Sequence, residues 1–266
     1  MAIQTRGEVE CFSDRDEMLR VEAERVVARA SDCVARRGRF LFCLAGGATP
    51  KPLYELLASA PFARRIGWSR VQVFWGDERC VPPDNPESNY RMAREALLDH
   101  VPLPPTNIHR IRGEDEPSEA AAAYEELLGD FFGPPETSAM TSFDLVILGM
   151  GADGHTASLF PGSAAAQETR RWVVATRGPQ PESWRVSLTP VLLNAADDVT
   201  FLVSGANKAE RLKDVLEGAP DLLPAQLIRP TPGTLHWMID EAAATRLRGD
   251  YVRRGMETGM TGGSQR

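Results

Sequence analysis

The run "FDLVIL" breaks at once into "GMGADGHTASLFPG", residues 149 to 162. That junction constrains the fold more than any other feature of the chain. Leu145, Val146, Ile147 and Leu148 are continuously apolar, the pattern of a strand covered on both faces in a parallel sheet. Glycines then crowd the strand's carboxyl end. Ligands bind at that end in open α/β sheets, so position alone puts Asp153 and His155 on a ligand-facing loop. A tight turn whose Asp and His merely satisfy backbone groups is the competing reading of the loop by itself. Other stretches must decide.

The same kind of unit recurs along the chain. "RFLFCLA" (39–45) reads as a buried strand, "GGATP" (46–50) as a loop and "KPLYELLAS" (51–59) as a helix opening close to a proline. "VQVFW" (71–75) is a second strand, followed by the long Pro-rich loop "GDERCVPPDNPES" (76–88) and a helix starting near Ser88 or Asn89. A short strand near 108–111, an Ala-rich helix around 118–128 and the strand 143–148 come next. "TFLVSG" (200–205) leads into the helix "NKAERLKDVLE" (207–217), and "TLHWMID" (234–240) into "EAAATRL" (241–247). Ahead of all these, Ser13 can cap a packing helix that runs to about Arg36, with an apolar stripe of Leu19, Ala23, Val26, Val27, Ala30 and Val34. Alternating strands and helices predict an α/β fold built on a mostly parallel, helix-covered sheet. No internal repeat or linker divides it, so one domain is expected over 1–250, with a polar, glycine-rich and disordered tail over 251–266.

Composition narrows the partner. The 42% hydrophobic content of 266 residues supports a substantial core. A net charge of −7 argues against a general nucleic-acid surface while leaving room for a local basic pocket. Cys11, Cys33, Cys43 and Cys80 lack zinc-ligand spacing and read as reduced cytosolic thiols. The amino-terminal "MAIQTRGEVECF" has no signal pattern, and no stretch has the roughly 20 apolar residues of a membrane helix. The expectation is a soluble, cytoplasmic protein with a small-molecule partner, no nucleic acid and no membrane, acting as a monomer or weak homodimer.

Several side chains are placed to take an anion. Gly46, Gly47, Ala48 and Thr49 precede a helix, so backbone N–H groups and the helix dipole can hold a phosphate there, although neither GxxxxGK[ST] nor GxGxxG is present. A strand-to-helix turn that uses glycine for geometry alone is the plain alternative. Lys208 opens the helix after strand 200–205, and Arg185 in "SWRVSLTP" offers a planar fork for phosphate oxygens. Each alone would usually be a surface residue. Asp77, Glu78 and Arg79 emerge from an apolar strand at the same sheet edge. Asn89 either bonds a sugar hydroxyl or caps its helix, and capping is the commoner role.

"GGATPKPLYELL", "WGDERCVPPDNPESNYRMA", "GMGADGHTASLFPG", "RVSLTPVLLNAA" and "SGANKAERL" occur in one chain in this order. In that order and spacing, from about residue 38 to 247, the sequence resembles the 6-phosphogluconolactonases. The resemblance implies a single Rossmann-like domain of the kind shared with glucosamine-6-phosphate deaminases. It also implies hydrolysis of 6-phospho-D-glucono-1,5-lactone, the second step of the oxidative pentose phosphate pathway, without a cofactor or metal. Carried onto these positions, His155 looks like the base that activates water, with Asp153 its orienter. Arg79 and Asp77 look like further active-site residues, and a guanidinium at Arg79 would stabilise charge developing on the carbonyl oxygen. The phosphate would lie against Gly46, Gly47 and Thr49 under Arg185 and Lys208, with Asn89 and Gly151 completing the binding residues. Two departures stand out: Ala45 and Ala48 replace serines of the usual phosphate loop, and Asn85 replaces the usual His after "DER". A deaminase would need a carboxylate before the proline of the histidine loop, where this chain has Phe160. A non-catalytic sugar-phosphate sensor is the other alternative, although no DNA-binding module accompanies the domain.

Overall fold

The computed structural model describes residues 7–133, 142–179, 182–248 and 251–254. Its strands are β1 (Glu8–Phe12), β2 (Phe40–Leu44), β3 (Val71–Trp75), β4 (Asp77–Arg79), β5 (Ile108–His109), β6 (Leu145–Gly149), β7 (Val173–Pro179), β8 (Glu182–Leu188), β9 (Asp198–Val203), β10 (Thr234–Asp240) and β11 (Val252–Arg254). The helices are α1 (Arg15–Arg37), α2 (Lys51–Ala58), α3 (Asn89–Ala96), α4 (Pro117–Phe132), α5 (Pro190–Leu193), α6 (Ala209–Glu217) and α7 (Glu241–Ala244).

Eight strands form one sheet in the order β11-β1-β10-β9-β6-β2-β3-β5, and every described pairing in it is parallel. All five residues of β2 are buried, as are the first four of β6 and the last five of β9. Successive strand residues point to opposite faces, so such runs require cover on both sides. Phe42, Phe74, Phe201 and Trp237 are among the largest side chains in this core.

From β2 the chain proceeds outward through β3 to β5, whereas from β6 it proceeds the other way through β9 to β10. The order therefore reverses between β2 and β6, which pair directly. Beyond the carboxyl ends of two strands that diverge like this, a crevice opens that no crossover fills.

A second, antiparallel sheet of three strands, β4-β8-β7, closes one side of that crevice. It corrects the reading of 76–88 as loop throughout. Gly76 couples the two sheets: its N–H donates to the Leu44 carbonyl (2.9 Å) and its carbonyl accepts from Leu188 N (2.8 Å). Two boundaries differ as well. Asp14, not Ser13, caps α1 by accepting from Glu17 N at 2.8 Å, while Ser13 Oγ donates to the Glu17 carboxylate at 2.7 Å. Strand β11 runs alongside β1, so a tail counted from 251 cuts into the sheet. Residues 255–266 lie outside the described residues.

Candidate active site

A cleft of about 430 Å³ occupies the switch point, lined from five strands and the loops they feed. The Ala45–Thr49 loop after β2, Asp77 and Arg79 of β4, Gly149 to Gly151 and His155 after β6, Arg185 of β8, and Ser204, Asn207 and Lys208 after β9 all face it. Of the residues given a catalytic or binding role in the sequence analysis, only Asp153 does not line the cleft. It stands behind His155 instead.

The histidine turn is shaped by glycine. Gly151 N donates to the His155 carbonyl (2.8 Å) and Gly154 N to the Gly151 carbonyl (3.1 Å), and Gly154 takes φ +85°. A Cβ on Gly151 would lie 2.1 Å from His155 Nδ1 and 2.6 Å from Asp153 Oδ1. Both side chains thus pack on a bare backbone. His155 Nδ1 meets Asp153 Oδ1 at 2.5 Å, and the same oxygen accepts from His155 N at 3.2 Å. Burial raises the Asp153 pKa, but the His155 backbone N–H, the imidazole charge and the ring hydrogen bond outweigh it and leave the carboxyl below its ordinary value. An ionised Asp153 assigns the Nδ1 position as the N–H, leaving Nε2 as the basic nitrogen. The imidazole lies 4.8 Å, centroid to centroid, from the buried ring of Phe160.

Across the cleft, Asp77 is fixed from two sides. Ser158 Oγ donates to its Oδ2 at 2.6 Å and Asn89 Nδ2 to its Oδ1 at 3.2 Å. Glu78 points the other way, into the amino end of α3, where its carboxylate accepts from Asn89 N (2.7 Å), Tyr90 N (2.8 Å), Arg79 N (2.7 Å) and Ser88 Oγ (3.0 Å). Burial raises its pKa while these four donors oppose the rise. Ser88 caps α3, accepting from Arg91 N at 3.1 Å. Asn89 is therefore released from capping and serves the cleft, and Gly46 lets it approach: a Cβ there would sit 1.9 Å from Asn89 Oδ1.

The cations are left with donors to spare. Arg79 and Arg185 are register neighbours on β4 and β8, and the Nε of each is buried without a hydrogen-bond partner among the described residues. Arg79 donates through Nη1 to the Glu87 carbonyl, and the Arg185 guanidinium lies 5.7 Å from the Phe160 ring centroid. Burial, then the Arg79 charge, lowers the Arg185 pKa. Burial likewise lowers that of Lys208, opposed by the charge of Asp153. The α2 amino end, next to Gly47 and Thr49, has no side-chain cap, so its N–H groups add to the positive field. Three cations and a helix amino end around one cavity favour an anion.

Asn85 does not line the cleft. It shapes the loop, its Oδ1 accepting from Glu87 N at 2.9 Å, and that loop supplies the carbonyl holding Arg79. Sequence reasoning missed Ser204 and Asn207 in the lining and Ser158 beneath Asp77; the first two sit in "SGANK", directly before the lysine it did select. Among the described residues, no group of three or more His, Cys, Asp or Glu is placed to hold a metal ion, and no helix is long and apolar enough to cross a membrane.

Fold and cleft together define an open α/β protein with a switch-point site for a small anionic ligand, served by a His–Asp pair. Residues 13–237 match the family described as glucosamine-6-phosphate isomerases/6-phosphogluconolactonase, and the chain belongs to that family. It is 41% identical over 244 residues to the 6-phosphogluconolactonase of a Nostoc species, covering 90% of this chain and 98% of that one. The Synechocystis 6-phosphogluconolactonase is 42% identical over 227 residues, 84% of this chain and 91% of the relative. Among solved structures, the 6-phosphogluconolactonase from Trypanosoma cruzi superposes with a TM-score of 0.81 at 29% identity, over 93% of this chain and 98% of the other. A monomeric glucosamine-6-phosphate deaminase superposes at 0.74 with 22% identity, over 90% of this chain and 100% of that one, a likeness of fold.

Proposed function

We propose that this protein hydrolyses 6-phospho-D-glucono-1,5-lactone to 6-phosphogluconate, with His155 as general base. The observation that carries the proposal is His155, paired with Asp153, in the wall of a cation-lined cleft, with Phe160 where a deaminase would need a carboxylate. Two close relatives bear the name 6-phosphogluconolactonase over nearly their whole length, which supports the substrate. The phosphate sits between the Gly46–Thr49 loop, the amino end of α2, Arg185 and Lys208. This places the lactone ring toward β4 and the histidine turn.

Nε2 of His155 takes a proton from water as its oxygen adds to the lactone carbonyl carbon, and Asp153 stabilises the imidazolium through Nδ1–H. The carbonyl oxygen becomes an oxyanion beside the guanidinium of Arg79, whose donors are already in place and need no reorganisation. Collapse of the tetrahedral adduct breaks the bond to the ring oxygen, which leaves as a hydroxyl carrying the Nε2 proton. The resulting carboxylic acid ionises to product and a released proton. Asp77, with one oxygen bonded to Ser158 and the other to Asn89, is an acceptor for substrate hydroxyls and holds Asn89 in register. Phe160 excludes water from one side of the imidazole and cannot transfer protons, which favours hydrolysis over the ring-opening chemistry of a deaminase. In cells this role is the second step of the oxidative pentose phosphate pathway.

Freshly generated lactone, coupled to 6-phosphogluconate dehydrogenase and measured against spontaneous hydrolysis, tests the proposal. The wild type is expected to exceed the background clearly, and His155→Ala to lose about 100-fold or more in kcat with its melting temperature retained. Wild-type rates at background would sink the lactonase reading. An active His155→Ala would move the base elsewhere.

A further inference from the structure

We infer that Arg211, on α6 and outside the reaction cleft, is a positioning residue that braces the histidine turn. The inference rests on His155 acting as the base, and its test separates the two claims.

The turn's own backbone hydrogen bonds, from Gly151 N and Gly154 N, are accepted by the His155 and Gly151 carbonyls. That leaves the carbonyls of Ala152 and Gly154 to be satisfied from outside. Arg211 Nε donates to the Ala152 carbonyl at 3.3 Å, and Ala225 N donates to the Gly154 carbonyl at 3.1 Å. Side-chain stems close against the same place. A Cβ on Gly154 would lie 3.2 Å from Arg211 Cδ and 3.1 Å from Leu223 Cδ2. The left-handed glycine is therefore pressed between two side chains while its flanking carbonyls are tied down.

Arg211 is itself oriented. Its Nη1 donates to Asp214 Oδ2 one turn further along α6, at 3.1 Å. The segment carrying Leu223 and Ala225 is fixed by the buried Gln226, whose Nε2 donates to the Asp214 (2.9 Å) and Ala219 (3.0 Å) carbonyls and whose Oε1 accepts from Leu222 N at 2.9 Å. Arg211 and Gln226 meet across a second cleft of about 160 Å³ that does not open on His155. Arg211 is not among the residues that line the reaction cleft. Its influence runs through the backbone of Ala152 to Asp153, and from there to the Nδ1 bond that sets the His155 tautomer. Small displacements of a base are costly because its rate advantage depends on alignment with the attacked atom.

Two variants separate bracing from bulk stability. Arg211→Met keeps an unbranched stem against Gly154 and removes the donors, whereas Arg211→Lys restores a charge and a donor. The side chain is 37% exposed, so both variants are expected to fold. For Arg211→Met, kcat falls about tenfold with KM within twofold. The imidazole nitrogen NMR shifts of His155 move from the Nδ1–H tautomer toward a mixture. Arg211→Lys recovers most of both. His155→Ala is assayed alongside: if it stays active while Arg211→Met still loses the tautomer, the brace stands and the base assignment fails. An unchanged tautomer in Arg211→Met overturns the brace whatever kcat does, as does a rise in KM alone, or a loss that lysine leaves unrepaired.

Discussion

Asp77 and Glu22 are both buried carboxylates near the same parallel sheet, yet they are treated oppositely. Asp77, at the carboxyl edge, has a donor on each oxygen. Glu22, on the α1 face near the amino ends of β1, β9 and β10, has a hydrogen-bond partner on neither among the described residues, and Arg25 Nε lies 3.3 Å away. Burial, with the charges of Asp198 and Glu10 adding and that of Arg25 opposing, pushes the Glu22 pKa up to about 8. Around it the His236 ring lies 3.6 Å from Asp198 and Arg25 bridges to Glu10 at 3.3 Å. Burial raises the Asp198 pKa and lowers that of His236. In the α1 cluster desolvation decides protonation. In the cleft, directed donors fix the acids and leave the cations unspent, so a ligand anion completes the network there.

The largest effect that sharpens this contrast is expected at Gly151. Its missing Cβ is what allows the His155–Asp153 bond to lie against the turn. Gly151→Ala must push the imidazole or the carboxylate aside, so kcat is expected to fall about 100-fold, equivalent to about 3 kcal/mol of barrier. Steady-state kinetics with a parallel melting curve check it. A variant with full activity and normal stability would mean that the turn relocates freely, and that the cleft is no better fixed than the α1 cluster.

Glu22→Gln tests the other side. An ordinary carboxyl pKa near 4.5 in the unfolded chain and about 8 in the folded one means the native state holds the extra proton between those values. The native state therefore loses stability as pH rises from 5 toward 8. Glutamine is neutral throughout, so the variant gains relative to the wild type as pH rises, on the order of 3 kcal/mol between pH 5 and pH 8. Urea unfolding at pH 5 and pH 8 measures it. A variant less stable at both values would show that the Glu22–Arg25 pair is charged and holds α1 in place.

How much of this could be read in the sequence follows from range. Gly46, Thr49, His155 and Lys208 each lie within a few residues of an apolar strand end, and parallel-sheet topology makes every such end point at one edge. The sheet and most of the cleft were legible for that reason. β4 was not: "DER" has no strand pattern, and it becomes a strand by pairing with β8, Asp77 opposite Ser187. β1 was hidden because Glu8 and Glu10 interrupt it on the face that meets the α1 cluster. Ser158 was out of reach because its partner Asp77 is 81 residues away, and nothing local to "TASLF" foreshadows that bond.

The smallest expected effect concerns a cleft group that shares the rule of the α1 cluster. Lys208 is a cation whose pKa burial lowers, so its ammonium is lost at a lower pH than that of a solvated lysine. If it holds the substrate phosphate, affinity for 6-phosphogluconate weakens severalfold as pH rises from 7 to 10, while a guanidinium such as Arg185 stays charged over the whole range. Calorimetric titration of the product against the wild type and Lys208→Met checks the assignment. The variant should bind more weakly at pH 7 and show a flat profile toward pH 10, the two proteins converging at the alkaline end. A decline of equal steepness in Lys208→Met would remove lysine as the titrating group. The phosphate would then rest on Arg185 and the amino end of α2, the donors in the cleft whose charge does not depend on pH in this range.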